Sequence, residues 1–181
     1  MARVFGPDNA TLTVRTKRTG AASKAGHDLL IEVGSWSATL DPDADPALTL
    51  TADPRSLRVL EGTGGIQALD DEAKAGIAQT IDEEVLVGTP IEFRSTSAEG
   101  ERVEGELELA GQRHPVSFEL AAGEDGRLTG SATVRQSDWG MKPYSTLFGT
   151  LKVVDEVEVA IECALSSPRT SHRATSNPER Q

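Results

Sequence analysis

Three histidines and one cysteine are the whole inventory for acid–base or thiol chemistry near neutral pH: His27, His114, His172 and Cys163. His27 and Asp28 are adjacent, and neighbours on a strand point to opposite faces, so they are not expected to share a site. His114 precedes Pro115 at the start of a strand, where a surface imidazole is expected, and His172 lies in a polar C-terminal stretch. No HExxH, CxxC or GxSxG pattern occurs. A zinc site needs three or four converging ligands, and Cys163 has no partner at ligand spacing. The glycine-rich run EGTGGIQA lacks the Gly-Lys-Ser/Thr ending of a phosphate cradle. It precedes Asp70, Asp71 and Glu72, which repel phosphate, so it is read as a flexible turn. Neither cofactor nor metal is expected, and no nucleophile, base and orienting group can be assembled.

The elements that would position any site are mostly strands. In RVEGELELAG, Val103, Gly105, Leu107 and Leu109 alternate with Glu104, Glu106 and Glu108. Val116, Phe118 and Leu120 resume the pattern after an Ala-Gly-Gln turn, which predicts a β-hairpin with Pro115 at an edge or bulge. RLTGSATV places Leu128, Gly130, Ala132 and Val134 on one face, and EVEVAIECAL does the same for Val157, Val159, Ile161, Cys163 and Leu165. TLTV, DLLIEV, WSATL, LTLTA, SLRVL and PIEFRS add short candidate strands in the first half. One segment breaks the period: LDDEAKAGIAQTIDEEVL carries Leu69, Ala73, Ile77 and Ile81 at helical spacing after an acidic start. It predicts a single amphipathic helix lying across a mouth or face of an all-β barrel or sandwich.

Length and composition allow a self-sufficient core. A chain of 181 residues, 37% hydrophobic and 26% charged, is a single-domain size. With aromatics at 4%, burial must rest on Val, Leu, Ile and Ala. The net charge of −11 opposes phosphate backbones, so nucleic acid is excluded as a partner. A lone cysteine makes no internal disulfide, and no apolar run is long enough for a signal peptide or a membrane span, which points to a cytoplasmic protein. Residues 166–181 contain no large apolar side chain and are expected to form a disordered tail. The folded domain is then 1–165. A homodimer through edge strands is left open.

If the barrel interior is not filled by Trp36, Phe93 and Phe118, the small inward residues Ala38, Gly105, Gly130 and Ala132 leave an apolar lumen. The irregular stretch QSDWGMKPYSTLFGT gathers Trp139, Met141, Tyr144, Leu147 and Phe148. Such a concentration plugs one end of a barrel or marks an interaction site.

The order of these features resembles the YceI-like family of lipocalin-like, polyisoprenoid-binding proteins over about residues 8 to 165. Pro90, Ile91, Phe93 and Ser95 look like one family strand. Gly105, Leu107, Leu109, Gly111, Pro115 and Val116 are similar to its hairpin. Arg135, Asp138, Trp139, Gly140 and Met141 are similar to its Arg-x-Asp-Phe-Gly-Ile stretch, with Trp in place of Phe. The resemblance implies an extended lipocalin-like antiparallel β-barrel of about eight strands with one amphipathic helix. It also implies a non-catalytic carrier of a polyisoprenoid, isoprenoid quinone or fatty-acyl chain. Phe93, Leu107, Phe118, Val134, Trp139, Met141 and Phe148 would line the channel or its mouth. The alternative is a stress-associated interaction protein with a closed lumen.

Overall fold

A computed structural model of the chain describes residues 1–164. Leu165 and the expected tail, 166–181, lie outside the described residues. The strands are β1 (Arg3–Phe5), β2 (Ala10–Thr16), β3 (Arg18–Thr19), β4 (His27–Val33), β5 (Trp36–Leu40), β6 (Leu48–Ala52), β7 (Leu57–Gly64), β8 (Ile91–Glu99), β9 (Arg102–Leu109), β10 (Gln112–Ala122), β11 (Arg127–Arg135), β12 (Ser145–Thr146), β13 (Leu151–Val153) and β14 (Glu156–Ala164). Eleven of them make one curled antiparallel sheet in the order β1-β5-β6-β8-β9-β10-β11-β14-β2-β4-β7. The remaining three form a small sheet, β12-β13-β3.

This is a lipocalin-like half-barrel with more than the expected eight or so strands. The surplus comes from the N-terminal half: β1 is only three residues long, too short to show an alternation, yet it pairs with β5 from Arg3↔Leu40 to Phe5↔Ala38. The outermost strands, β1 and β7, are not paired with each other. Two backbone bonds extend the ladders within each flank instead: the Gly34 amide donates to the Ser56 carbonyl, continuing β4–β7, and the Asp53 amide to the Ser35 carbonyl, continuing β5–β6, each at 3.0 Å.

The alternation read from sequence sets which side faces in. In β9, β11 and β14 the Glu and Arg rows face out, where Arg127 meets Glu162 and Arg135 meets Glu156, both at 2.8 Å. Exposed pairs of this kind add little stability, about 0–1 kcal/mol each. The inward rows supply the core, which includes Ile31, Val33, Trp36, Val134 and Cys163. Pro115 sits inside β10 opposite Glu106 rather than at its start. Its missing amide is tolerated because pairing with β11 begins only at Glu119, so one side of β10 is a local edge there.

The helical segment also differs from a single α-helix. Helix α1 covers Asp71–Thr80, capped by the Asp70 carboxylate accepting from the Ala73 amide at 2.8 Å. A π-helical turn, Ile81–Val85, continues it to Leu86. The wider turn is where three consecutive acids, Asp82, Glu83 and Glu84, occur. The segment EGTGGIQA is in part strand: Glu61, Gly62, Thr63 and Gly64 pair with β4. Gly62 leaves space there for the Leu69 side chain, which packs over that strand ahead of α1.

Candidate functional site

The site follows from parity. Strand register stacks the inward residues in rows across the wall, with Phe93 opposite Leu107, Gly105 opposite Val116, Ala132 opposite Val159 and Val14 opposite Ile31. Between these rows and α1 lies a cavity of about 720 Å³. Its lining is overwhelmingly aliphatic, and Ala73, Gly76, Ile77 and Ile81 of the helical segment form one side. The lumen is therefore not filled by its own aromatics. At about 30 Å³ per water-sized group, it has room for on the order of 20 chain carbons.

Five of the seven candidate residues, Phe93, Leu107, Phe118, Val134 and Met141, line this cavity. Phe93 and Phe118 meet at a tilt, with centroids 5.5 Å apart and planes at 59°. The small residue Gly105 does not enlarge the lumen at that point, because Phe93 folds its ring over it. Trp139 is buried outside the lining, with its indole N–H donating to the Leu107 carbonyl at 2.7 Å. His114 is not a free surface imidazole, since its ring stands edge-on to Trp139 at 5.6 Å. Phe148 is fully exposed on the surface and takes no part in the lining. A Trp139→Phe variant keeps an aromatic ring but removes the indole N–H that bonds the Leu107 carbonyl. It is expected to lose about 1–3 kcal/mol in urea unfolding, whereas an unchanged midpoint would show that the bond is replaceable.

Sequence patterning does not single out the polar end of the cavity. Thr16, Arg18, His27, Tyr144, Thr146 and Lys152 all line it. Thr16 continues the inward parity of Leu12 and Val14, so a signal exists for it, but β12 and β13 are too short to show one. The Thr16 hydroxyl is buried with no hydrogen-bond partner among the described residues. Arg18 is held by the Gly26 carbonyl and by Asp28, whose carboxylate accepts from the Arg18 amide at 2.9 Å. His27 Nε2 lies 2.7 Å from the Gln67 carbonyl oxygen. His27 and Asp28 thus serve different neighbours, as opposite faces of a strand require. Tyr144 and Lys152 both line the cavity and reach solvent, which places a mouth at the small sheet.

Cys163 is in the wall beside Leu128, and burial pushes its thiol above the ordinary range. Ionisation in the unfolded chain then outruns that in the fold, so this contribution to stability holds below about pH 8.5 and is lost as pH rises. Alkylation at pH 8 is expected to be at least about tenfold slower in the folded protein than in urea. Equal rates would mean the wall opens freely. Among the described residues, no three His, Cys, Asp or Glu side chains cluster closely enough to hold a metal, and no helix is long and apolar enough to cross a membrane.

A curled antiparallel sheet around a mainly apolar cavity, with one helix on its flank, defines the lipocalin-like class of half-barrels. The profile of the YceI-like domain matches residues 14–165, and the chain belongs to the YceI-like family. Among solved structures, a crystal structure of a mutant CJ YceI protein with a monobromobimane guest is similar at 18% identity and a TM-score of 0.44, covering 73% of this chain and 81% of that one. No curated protein matches the sequence.

Proposed function

We propose that the protein binds and carries one long apolar lipid, a polyisoprenoid, isoprenoid quinone or fatty-acyl chain, without transforming it. The observation that carries this reading is the mainly aliphatic cavity of about 720 Å³, within the range of ligand sites, with a polar end at the small sheet. Such a lining favours chain length, at about 0.8 kcal/mol per buried methylene before the cost of immobilisation. Phe93, Leu107, Phe118, Val134 and Met141 contact the chain, and Trp139 braces the wall behind them. The unpartnered Thr16 hydroxyl, with His27 beside the same mouth, takes the polar end of the cargo. The two described histidines, His27 and His114, are engaged by Gln67 and by Trp139, which favours binding over catalysis.

The test is mass spectrometry of an organic extract from protein purified out of its native host. A stoichiometric isoprenoid, quinone or acyl species is expected and would name the cargo. An extract still empty after exposure to each of these lipids would sink the carrier reading and favour an interaction protein.

A further inference from the structure

Lys and Arg cluster in two stretches of this chain, one bordered by Asp8 and Asp28 and the other by Asp138 and Asp155. Residues 9–27 and 139–154 carry six Lys or Arg and not one Asp or Glu, within a chain whose net charge is −11. The small sheet brings these two distant segments together: Lys152 lies opposite Thr19 and Val153 opposite Arg18. The Val154 amide donates to the Lys17 carbonyl and the Ala22 amide to the Thr150 carbonyl, both at 2.8 Å. Lys17, Lys24, Lys142 and Lys152 are exposed there and form no ion pair among the described residues, although acids outnumber bases elsewhere.

The same end displays an apolar tip. Leu147 is 51% exposed and Phe148 is 108% exposed, and both have left-handed backbones, at φ 51° and 55°. Two consecutive non-glycine residues in that region are costly, and the turn is held by Thr150, whose hydroxyl donates to the Leu147 carbonyl at 2.6 Å. The fold thus accepts backbone strain to hold two large apolar side chains away from its own core. Tyr144, 42% exposed, joins the tip to the cavity, whose mouth it lines.

We infer that this end docks on an anionic lipid bilayer, with Leu147 and Phe148 entering the interface and the surrounding lysines meeting the headgroups. Charge complementarity selects the partner. A second copy would bring like-charged ends face to face, whereas an anionic bilayer attracts this end and repels the acidic remainder, which fixes the orientation. Apolar side chains and cations are each weak membrane signals alone and act together as a reversible anchor. The cavity mouth then opens toward the bilayer rather than toward water. Docking itself does not depend on which cargo fills the cavity; its use in loading rests on the carrier reading.

The experiment is sedimentation of the full chain with vesicles of phosphatidylcholine containing one-third phosphatidylglycerol, against pure phosphatidylcholine, at low and high salt. Binding to the anionic vesicles is expected to be on the order of tenfold tighter than to neutral ones and to weaken with salt. The exposed double variant Leu147→Ser with Phe148→Ser, and separately Lys24→Glu with Lys142→Glu, should each lose about tenfold or more. Equal binding to both vesicles, or wild-type binding by both variants, would overturn the inference. So would a dimer, seen by ultracentrifugation and abolished by the Leu147/Phe148 variant, with no vesicle binding. Uptake of a fluorescent acyl probe from dispersion is measured in parallel. Sedimentation without uptake supports docking while removing the carrier reading, and uptake without sedimentation overturns docking alone.

Discussion

A Phe118→Asp variant is expected to fold and to lose binding of an apolar chain by on the order of a hundredfold. Phe118 is half-buried on β10, opposite Val103, with its ring tilted against Phe93 and one face in the cavity. Among the described residues a carboxylate there has no cation across the lumen to pair with, because the cationic residues of the lining lie at the small-sheet end. An unpaired charge facing hydrocarbon costs several kcal/mol, or draws in water that the chain must expel. Since each 1.4 kcal/mol is tenfold in affinity, two such steps are a conservative expectation. Phe118→Leu keeps the volume class and should retain most binding. Titration of a fluorescent acyl probe, with circular dichroism to confirm folding, reads both. Wild-type affinity in a folded Phe118→Asp protein would remove β10 from the site.

The second large effect is on stability. A Gly105→Val variant is expected to lower the melting temperature by on the order of 5–10 °C. Gly105 lies in the middle of β9, and a Cβ built on it stands 2.6 Å from the Phe93 ring and against the Arg94 carbonyl. Both obstacles belong to the paired strand β8, so the backbone cannot yield without breaking the ladder. Overpacking of this kind costs about 1–3 kcal/mol, and a domain of this size loses about 2–4 °C per kcal/mol. The displaced Phe93 ring has only the cavity to move into, so acyl-probe binding should weaken as well. A melting temperature within a degree or two of wild type would mean that the two strands are less tightly paired than their register indicates.

These two positions show what a one-dimensional pattern can and cannot convey. The alternation in β9, β10, β11 and β14 is long enough to give both the strands and their inward faces, so the wall positions of Leu107, Phe118 and Val134 are legible in the pattern itself, and that of Phe93 in the shorter PIEFRS run. Gly105 reads as a space-maker because its partner across the ladder is invisible in one dimension. Its register partner is Ser95, and only the packing of the Phe93 ring over it shows for whom it makes room. Trp139 and Phe148 lie in one irregular segment whose composition announces a cluster but whose direction depends on long-range contacts. One is a brace bonded to Leu107 and the other a surface tip. The polar mouth is hidden for a different reason: it is built by β3 and β13, two and three residues long, from opposite ends of the chain.

The unpaired seam between β1 and β7 has its own consequence. In a fully closed barrel, strand number and stagger dictate the bore, and widening it means rebuilding the ladder. Here no hoop of hydrogen bonds fixes the girth, and the helical segment from Ala73 to Leu86 forms part of the lining beside β7. The bore is thus an adjustable fit, set by a handful of helix side chains acting as a shim. Exchanging Ala73, Gly76 or Ile77 for larger or smaller residues would resize the cavity while leaving all eleven strands as they are.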